Sequence, residues 1–131
     1  MSLRFGTKAQ AFSGEGARLF GGRWNSAGGA VVYTSSSLSL AALETLVHAD
    51  RDRFKRDYLA FTLEIPEALL TVLQEADLPA DWRSRPVSTG ARRLGDAWLT
   101  GGTAVLAVPS VVVPLETNYL LNPLHPDAGK V

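Results

Sequence analysis

Arg23 stands between Gly22 and Trp24 in a stretch, residues 13–29, that holds six glycines. A guanidinium offers a planar fork to a pyrophosphate, a tryptophan can steady its stem, and glycines let backbone N–H groups come close to a phosphate. The stretch matches neither a P-loop, having no Gly-Lys-Ser/Thr, nor the dinucleotide fingerprint, whose glycines follow a strand and open a helix. On residue types alone it reads at least as well as a plain surface loop carrying a surface arginine.

Glu44 lies one turn from Leu40 and Val47, so it borders an apolar stripe instead of facing bulk water. A carboxylate placed there can act on a ligand, or it can simply pair with His48 at i,i+4 for ~0.2–0.5 kcal/mol. His48, a lone histidine on a half-apolar helix, reads as structural. Ser110 has no neighbouring histidine or acid and no Gly-x-Ser-x-Gly elbow, which favours a hydrogen-bonding serine over a nucleophile. Arg51, Arg53, Lys55 and Arg56 are interleaved with Asp50, Asp52 and Asp57 and read as a solvated face, not a nucleic-acid patch. Two distant histidines and no cysteine give no metal-ligand pattern.

The elements that must position these groups follow from hydrophobic period. The six glycines leave no regular period in residues 13–29, which predicts a structured loop. Ala30 to Ser35 is β-rich and predicts a strand; Ser35, Ser36 and Ser37 can cap a helix over Leu38 to Ala49, whose Leu40, Leu43, Leu46 and Val47 share one face. A charged turn over 51–57 leads to an alternating strand, Tyr58 to Ile65, which Pro66 ends. Glu67 to Gln74 fits helix or strand, and Leu78 to Pro86 is a connection. From Ser88 a second helix carries Ala91, Leu94, Ala97 and Trp98 on one face and stops at Gly101-Gly102. Thr103 to Val108 and Val111 to Leu115 read as strands broken at Pro109, which sets Ser110 at a kink. The stretch from Asn118 to Pro126, with its asparagines and prolines, reads as extended loop. The sum is one α+β domain.

Composition narrows the class. With 131 residues, 46% of them hydrophobic and 20% charged, the chain has the make-up of one folded domain. Thirteen basic residues balance thirteen acidic ones, so no long-range field draws it to nucleic acid or an anionic membrane. No apolar run approaches the ~18 residues a membrane span needs, and the absence of cysteine excludes disulfides and a thiol nucleophile. The expectation is a soluble cytoplasmic protein.

In order along the chain stand Gly21-Gly-Arg-Trp-Asn25, Val32-Tyr-Thr-Ser35, Ala41-Ala-Leu-Glu-Thr-Leu-Val-His48, Leu78-Pro-x-x-Trp82, Gly95-Asp-x-Trp-Leu99, Val108-Pro-Ser110 and Asn118-Tyr-Leu-Leu-Asn-Pro123. This succession, over about Ala11 to Pro126, resembles the RES domain family. The resemblance implies a single domain across residues 1–131 with an ADP-ribosyltransferase-like fold, a mixed or antiparallel sheet with flanking helices. It also implies the toxin of a bacterial type II toxin–antitoxin system, held by an Xre-type helix-turn-helix antitoxin. Such a toxin takes NAD as its substrate and needs neither a separate cofactor nor a metal.

Carried over residue by residue, the resemblance makes Arg23, Tyr33, Glu44 and Ser110 the catalytic set, with Arg23, Trp24, Asn25, Tyr33, Ser110 and Asn118 around the dinucleotide. Nicotinamide leaves NAD as a neutral molecule, so cleaving its ribose bond needs no general acid and one carboxylate can suffice, unlike ordinary glycoside hydrolysis. Glu44 would stabilise oxocarbenium-like charge, Arg23 would hold the pyrophosphate, Tyr33 would wall the nicotinamide and Ser110 would orient its ribose. The implied activity is cleavage of NAD by hydrolysis or phosphorolysis, depleting the cell of it. The alternatives are mono-ADP-ribosylation of a protein and an inactive binding module. The pattern departs from the family around Leu3-Arg4-Phe5 and at Gly129-Lys-Val131, where relatives continue into another strand. That departure implies an open sheet edge at which a second copy could pair as a homodimer.

Overall fold

The computed structural model describes residues 2–4, 11–48, 59–84, 87 and 89–131. The charged run 51–57, Tyr58, Ser88 and the side chain of His48 lie outside the described residues, so the expectations for them stand as stated.

A four-stranded mixed sheet organises the domain, in the order β2-β6-β5-β4. β2 (Val32–Ser35) and β5 (Val105–Pro109) both run antiparallel to β6 (Thr117–Leu121), while β4 (Leu70–Val72) runs parallel to β5. A separate two-stranded ribbon pairs β1 (Ser2–Arg4) with β3 (Leu59–Phe61). Three helices complete the described residues: α1 (Glu15–Phe20), α2 (Leu38–His48) and α3 (Thr89–Gly101). This is the α+β architecture that the sequence predicts.

Both faces of the sheet are covered, so the central strand β5 is a continuous apolar run, Val105 to Val108, with no polar alternation. One face packs Leu106, Val108 and Leu120 against Trp24, Val31, Ala91 and Trp98; the other gathers Val32, Leu69, Ala104, Val105 and Leu121. α3 presents Ala91, Gly95 and Trp98, spaced by four and three residues, as its buried stripe, and Ala97 falls outside it. At Gly95 the helix meets the glycine-rich segment directly: a Cβ there would stand 1.5 Å from the Trp24 carbonyl oxygen. Only glycine permits that approach.

Four expectations are corrected. Residues 15–20 form α1 inside the segment read as loop, stabilised by an ion pair between Glu15 and Arg18 one turn apart and by Asn25, whose amide donates to the Ala17 carbonyl. Asn118 to Leu121 is not extended loop but most of β6, flanked by two partners that satisfy its backbone. Val111 to Leu115 is a chain of turns instead of a strand, because the Val112 and Val113 N–H groups donate to the Ser110 hydroxyl and so have none left for a ladder. The alternating strand beyond Tyr58 is shorter than predicted, ending at Phe61, and the undecided 67–74 resolves into a 3₁₀ turn, Glu67–Leu69, followed by β4.

Candidate active site

Strand register decides which side chains share a face. Ser35 pairs with Asn118, which pairs in turn with Val108; two residues before Ser35, Tyr33 aligns with Leu120 and Leu106. Since side chains alternate, Tyr33, Ser35, Asn118 and Val108 all point to one side of the sheet. Pro109 supplies no N–H to extend the ladder, and Ser110 begins the turn that follows, its N–H donating to the Glu116 carbonyl at 2.9 Å.

α2 brings the carboxylate to that side. Ser37 caps the helix, accepting from the Leu40 N–H at 3.1 Å, so one of the three predicted serines does the capping while Ser35 turns inward. Of the predicted apolar face only Leu40 is buried, with Ala41 beside it, while Leu43, Leu46 and Val47 are exposed, a correction to the sequence reading; Glu44, one turn beyond Leu40, is half-buried. Ser110 Oγ donates to Glu44 Oε1 at 2.6 Å, and Asn118 Nδ2 donates to the same oxygen at 2.8 Å. Hydrogen bonds to an ionised oxygen are short and strong, so the two donors fix the carboxylate's direction.

Ser110 itself is fully buried, its oxygen accepting the Val112 and Val113 N–H groups at 3.1 Å each while its proton goes to Glu44. That placement makes it a conduit from a turn's N–H dipoles to the carboxylate. The sequence places no acid beside Ser110; the fold brings Glu44 to its hydroxyl. Asn118 likewise meets Glu44, and its Oδ1 accepts from Ser35 Oγ at 2.8 Å.

The glycine-rich segment makes the other half. Arg23 Nη1 donates to the carbonyls of Trp82 at 2.8 Å and Ser84 at 3.0 Å, and the Trp82 ring stacks on Trp24 with centroids 6.1 Å apart. Tyr33 donates its phenol proton to Asn25 Oδ1 at 2.5 Å and accepts from the Trp24 N–H at 3.4 Å. A Cβ on Gly22 would stand 2.5 Å from that phenol oxygen, which accounts for the glycine beside Arg23. Burial pushes the Tyr33 phenol well above its ordinary range, with the Trp24 N–H and the positive charges of Arg92 and Arg23 pulling the other way. Tyr33 is therefore a neutral donor at physiological pH, and Arg23 lies within electrostatic reach of it.

Asn25 is the internal post of this half. It is fully buried, and its Nδ2 donates to the carbonyls of Ala17, Ser26 and Gly29 at 3.0–3.2 Å. Asp96 clamps the segment from α3, accepting from the Ser26 N–H at 2.8 Å and the Ser26 hydroxyl at 2.6 Å. Trp24 is buried beside Asn25, and the two residues meet the Tyr33 phenol through the Asn25 Oδ1 and the Trp24 N–H.

The two halves meet. Glu44 and Ser110 touch directly, and Tyr33 and Ser35 stand two residues apart on one face of β2, about 7 Å along the strand. Arg83, over the Trp82 ring at 5.9 Å, reaches the Val111 carbonyl at 3.4 Å, so the segment that Arg23 grips also grips the turn that carries Ser110. An open cavity of about 520 Å³ lies at the opposite end of the sheet, walled by Ala30, Leu99, Gly102, Asn122 and His125, and no candidate catalytic residue lines it.

A family model described as the RES domain matches residues 3–131. This chain belongs to the RES domain family. It is 40% identical over 121 residues to a protein named Toxin Res from Photorhabdus laumondii, and 42% identical over 118 residues to a Toxin Res from Yersinia enterocolitica; the alignments cover 92% and 89% of this chain and 78% of each relative. A protein of a Sphingobium species named Prs ADP-ribosylating toxin is 42% identical over 125 residues, covering 92% of this chain and 78% of that relative. Within the RES domain, sequence reasoning missed Ser35 and Asp96. The signal for Ser35 was its spacing of two from Tyr33 on a predicted strand, and for Asp96 its place in the Gly95-Asp-x-Trp motif.

Proposed function

We propose that this RES domain is a toxin that cleaves NAD between nicotinamide and ribose. The observation that carries the proposal is a single carboxylate, Glu44, held by Ser110 and Asn118 on the same sheet face as Tyr33. The bond from C1′ to the nicotinamide nitrogen breaks with its electron pair going to the ring, which departs neutral. An acceptor oxygen then bonds to C1′ and releases its proton. No step requires acid from the protein, and a fixed anion beside the ribose stabilises the positive charge that develops there, an effect worth several kcal/mol in a site that excludes water.

Arg23 would meet the pyrophosphate, the half-buried Tyr33 ring would wall the nicotinamide, and Ser110 and Asn118 would act through Glu44. The toxin names of the relatives favour a toxin–antitoxin setting, in which the partner is an antitoxin of Xre-type helix-turn-helix kind on the family resemblance.

The relative named as an ADP-ribosylating toxin favours a second reading, in which the acceptor is a protein nucleophile instead of water or phosphate. Both readings share the bond that breaks. Purified protein incubated with NAD labelled in its adenylate half, with and without phosphate and with cell extract, separates them: free ADP-ribose or its phosphate marks depletion, and a labelled protein band marks transfer. NAD that stays intact in every arm would overturn both and leave the domain a binding module.

A further inference from the structure

Ser35 belongs to a hydrogen-bond chain that runs through Asn118 to the carboxylate. Its Oγ donates to Asn118 Oδ1 at 2.8 Å, and Asn118 Nδ2 donates to Glu44 Oε1 at 2.8 Å. Ser35 is buried, and its backbone sits opposite Asn118 in the ladder between β2 and β6, so the pairing of the two side chains is imposed by register.

An asparagine beside an anion must turn its amino group towards it; the opposite orientation would set a carbonyl oxygen against a carboxylate oxygen. Once turned that way, Asn118 faces the sheet interior with its own carbonyl, a group that needs a donor where water is scarce. Ser35 supplies that donor. Along such a chain each bond polarises the next, so the hydroxyl strengthens the amide's grip on Glu44.

We infer that Ser35 is a positioning residue for NAD cleavage, holding Glu44 in its productive direction through Asn118. The inference rests on the proposed NAD-cleaving function and adds to it a residue that acts on the carboxylate through Asn118. Ser37, two positions on, serves the fold instead, as the cap of α2.

Because the chain bears on Glu44 and not on the groups assigned to the pyrophosphate, its loss should lower kcat and spare KM. Ser35→Ala in the full chain should reduce the kcat for nicotinamide release about tenfold, the effect of one lost hydrogen bond on a charged group, with KM for NAD unchanged. Asn118→Ala should cost at least as much, and adding Ser35→Ala to it should cost nothing further, since Ser35 has then lost what it acts through. A merely structural serine would behave otherwise: its removal would lower the melting temperature, leave kcat per folded molecule unchanged, or add its full cost on top of Asn118→Ala. A kcat for Ser35→Ala within twofold of wild type, or additive effects in the double variant, would overturn the chain. The wild-type arm tests the underlying function separately: no NAD loss there overturns that function and the chain with it, whereas NAD loss that Ser35→Ala leaves intact overturns the chain alone.

Discussion

The two halves of the site are built on different physical principles. Around Glu44 of α2, side chains from β6 and the turn after β5 converge on one carboxylate oxygen, with Ser35 of β2 bonded to the first of them, and what they hold is the direction of a charge. Around Arg23 and Tyr33, a buried asparagine and an aspartate from α3 hold a stretch of backbone; Arg23 rides on it, and Tyr33 reaches it from β2. The first arrangement can be loosened without disturbing the fold; the second can scarcely be touched without disturbing it. Substitutions around Glu44 should therefore register as kcat, and those around Asn25 as stability and substrate affinity.

The largest effect should come from Glu44→Gln, which keeps shape and an accepting oxygen but removes the charge. NAD cleavage should fall by about 10²-fold or more while the melting temperature stays near wild type. A large drop in melting temperature would move Glu44 to the structural side of the comparison.

Asn25→Ala should be the strongest perturbation of the other half. It strips the donors from three carbonyls and the acceptor from Tyr33, which should destabilise the domain by about 2–4 kcal/mol in chemical denaturation and raise KM for NAD in whatever remains folded. A fall in kcat alone, with stability and KM intact, would erase the distinction between the halves.

Ser110→Ala should fall between the two. It removes one donor from Glu44 and leaves the Val112 and Val113 N–H groups without their acceptor, so kcat should drop about tenfold with a loss of about 1–2 kcal/mol in stability. Were Ser110 a nucleophile, the activity would vanish entirely.

The smallest effect concerns pH. Burial raises the Tyr33 phenol, so the folded protein keeps a proton that the unfolded chain gives up above about pH 10. Stability is unaffected by Tyr33 below that pH and is lost as pH rises above it. Tyr33→Phe, compared with wild type by urea unfolding at pH 8 and pH 10.5, should lose less stability over that interval; an equal loss in both would show that the phenol is not desolvated.

The same contrast explains what could be read from the chain. The β2-turn-α2 unit was legible because its period switches from two to about 3.6 across Ser35 to Ser37 with a cap between, although Leu43, Leu46 and Val47 of the predicted face are exposed. β6 was hidden because Asn118, Asn122 and Pro123 carry turn signals around only three apolar residues, and what makes it a strand is a pair of neighbours distant in sequence. The converse error, a strand over 111–115, trusted β-branched residues whose N–H groups a serine side chain captures.

At the site, residue types and the family motifs pointed to Arg23, Tyr33, Glu44 and Ser110. They did not tell contact with a ligand from contact with one another. Asn25 and Ser110 are fully buried, bonded to Tyr33 and to Glu44, which only packing reveals.

The central claim is that both halves address one dinucleotide, and the crystal structure of Glu44→Gln bound to NAD tests it most directly. The nicotinamide ribose is expected beside residue 44 and the Tyr33 ring, with the pyrophosphate towards Arg23. A dinucleotide seated instead in the cavity walled by Leu99 and His125, or touching only one of the two halves, would contradict it.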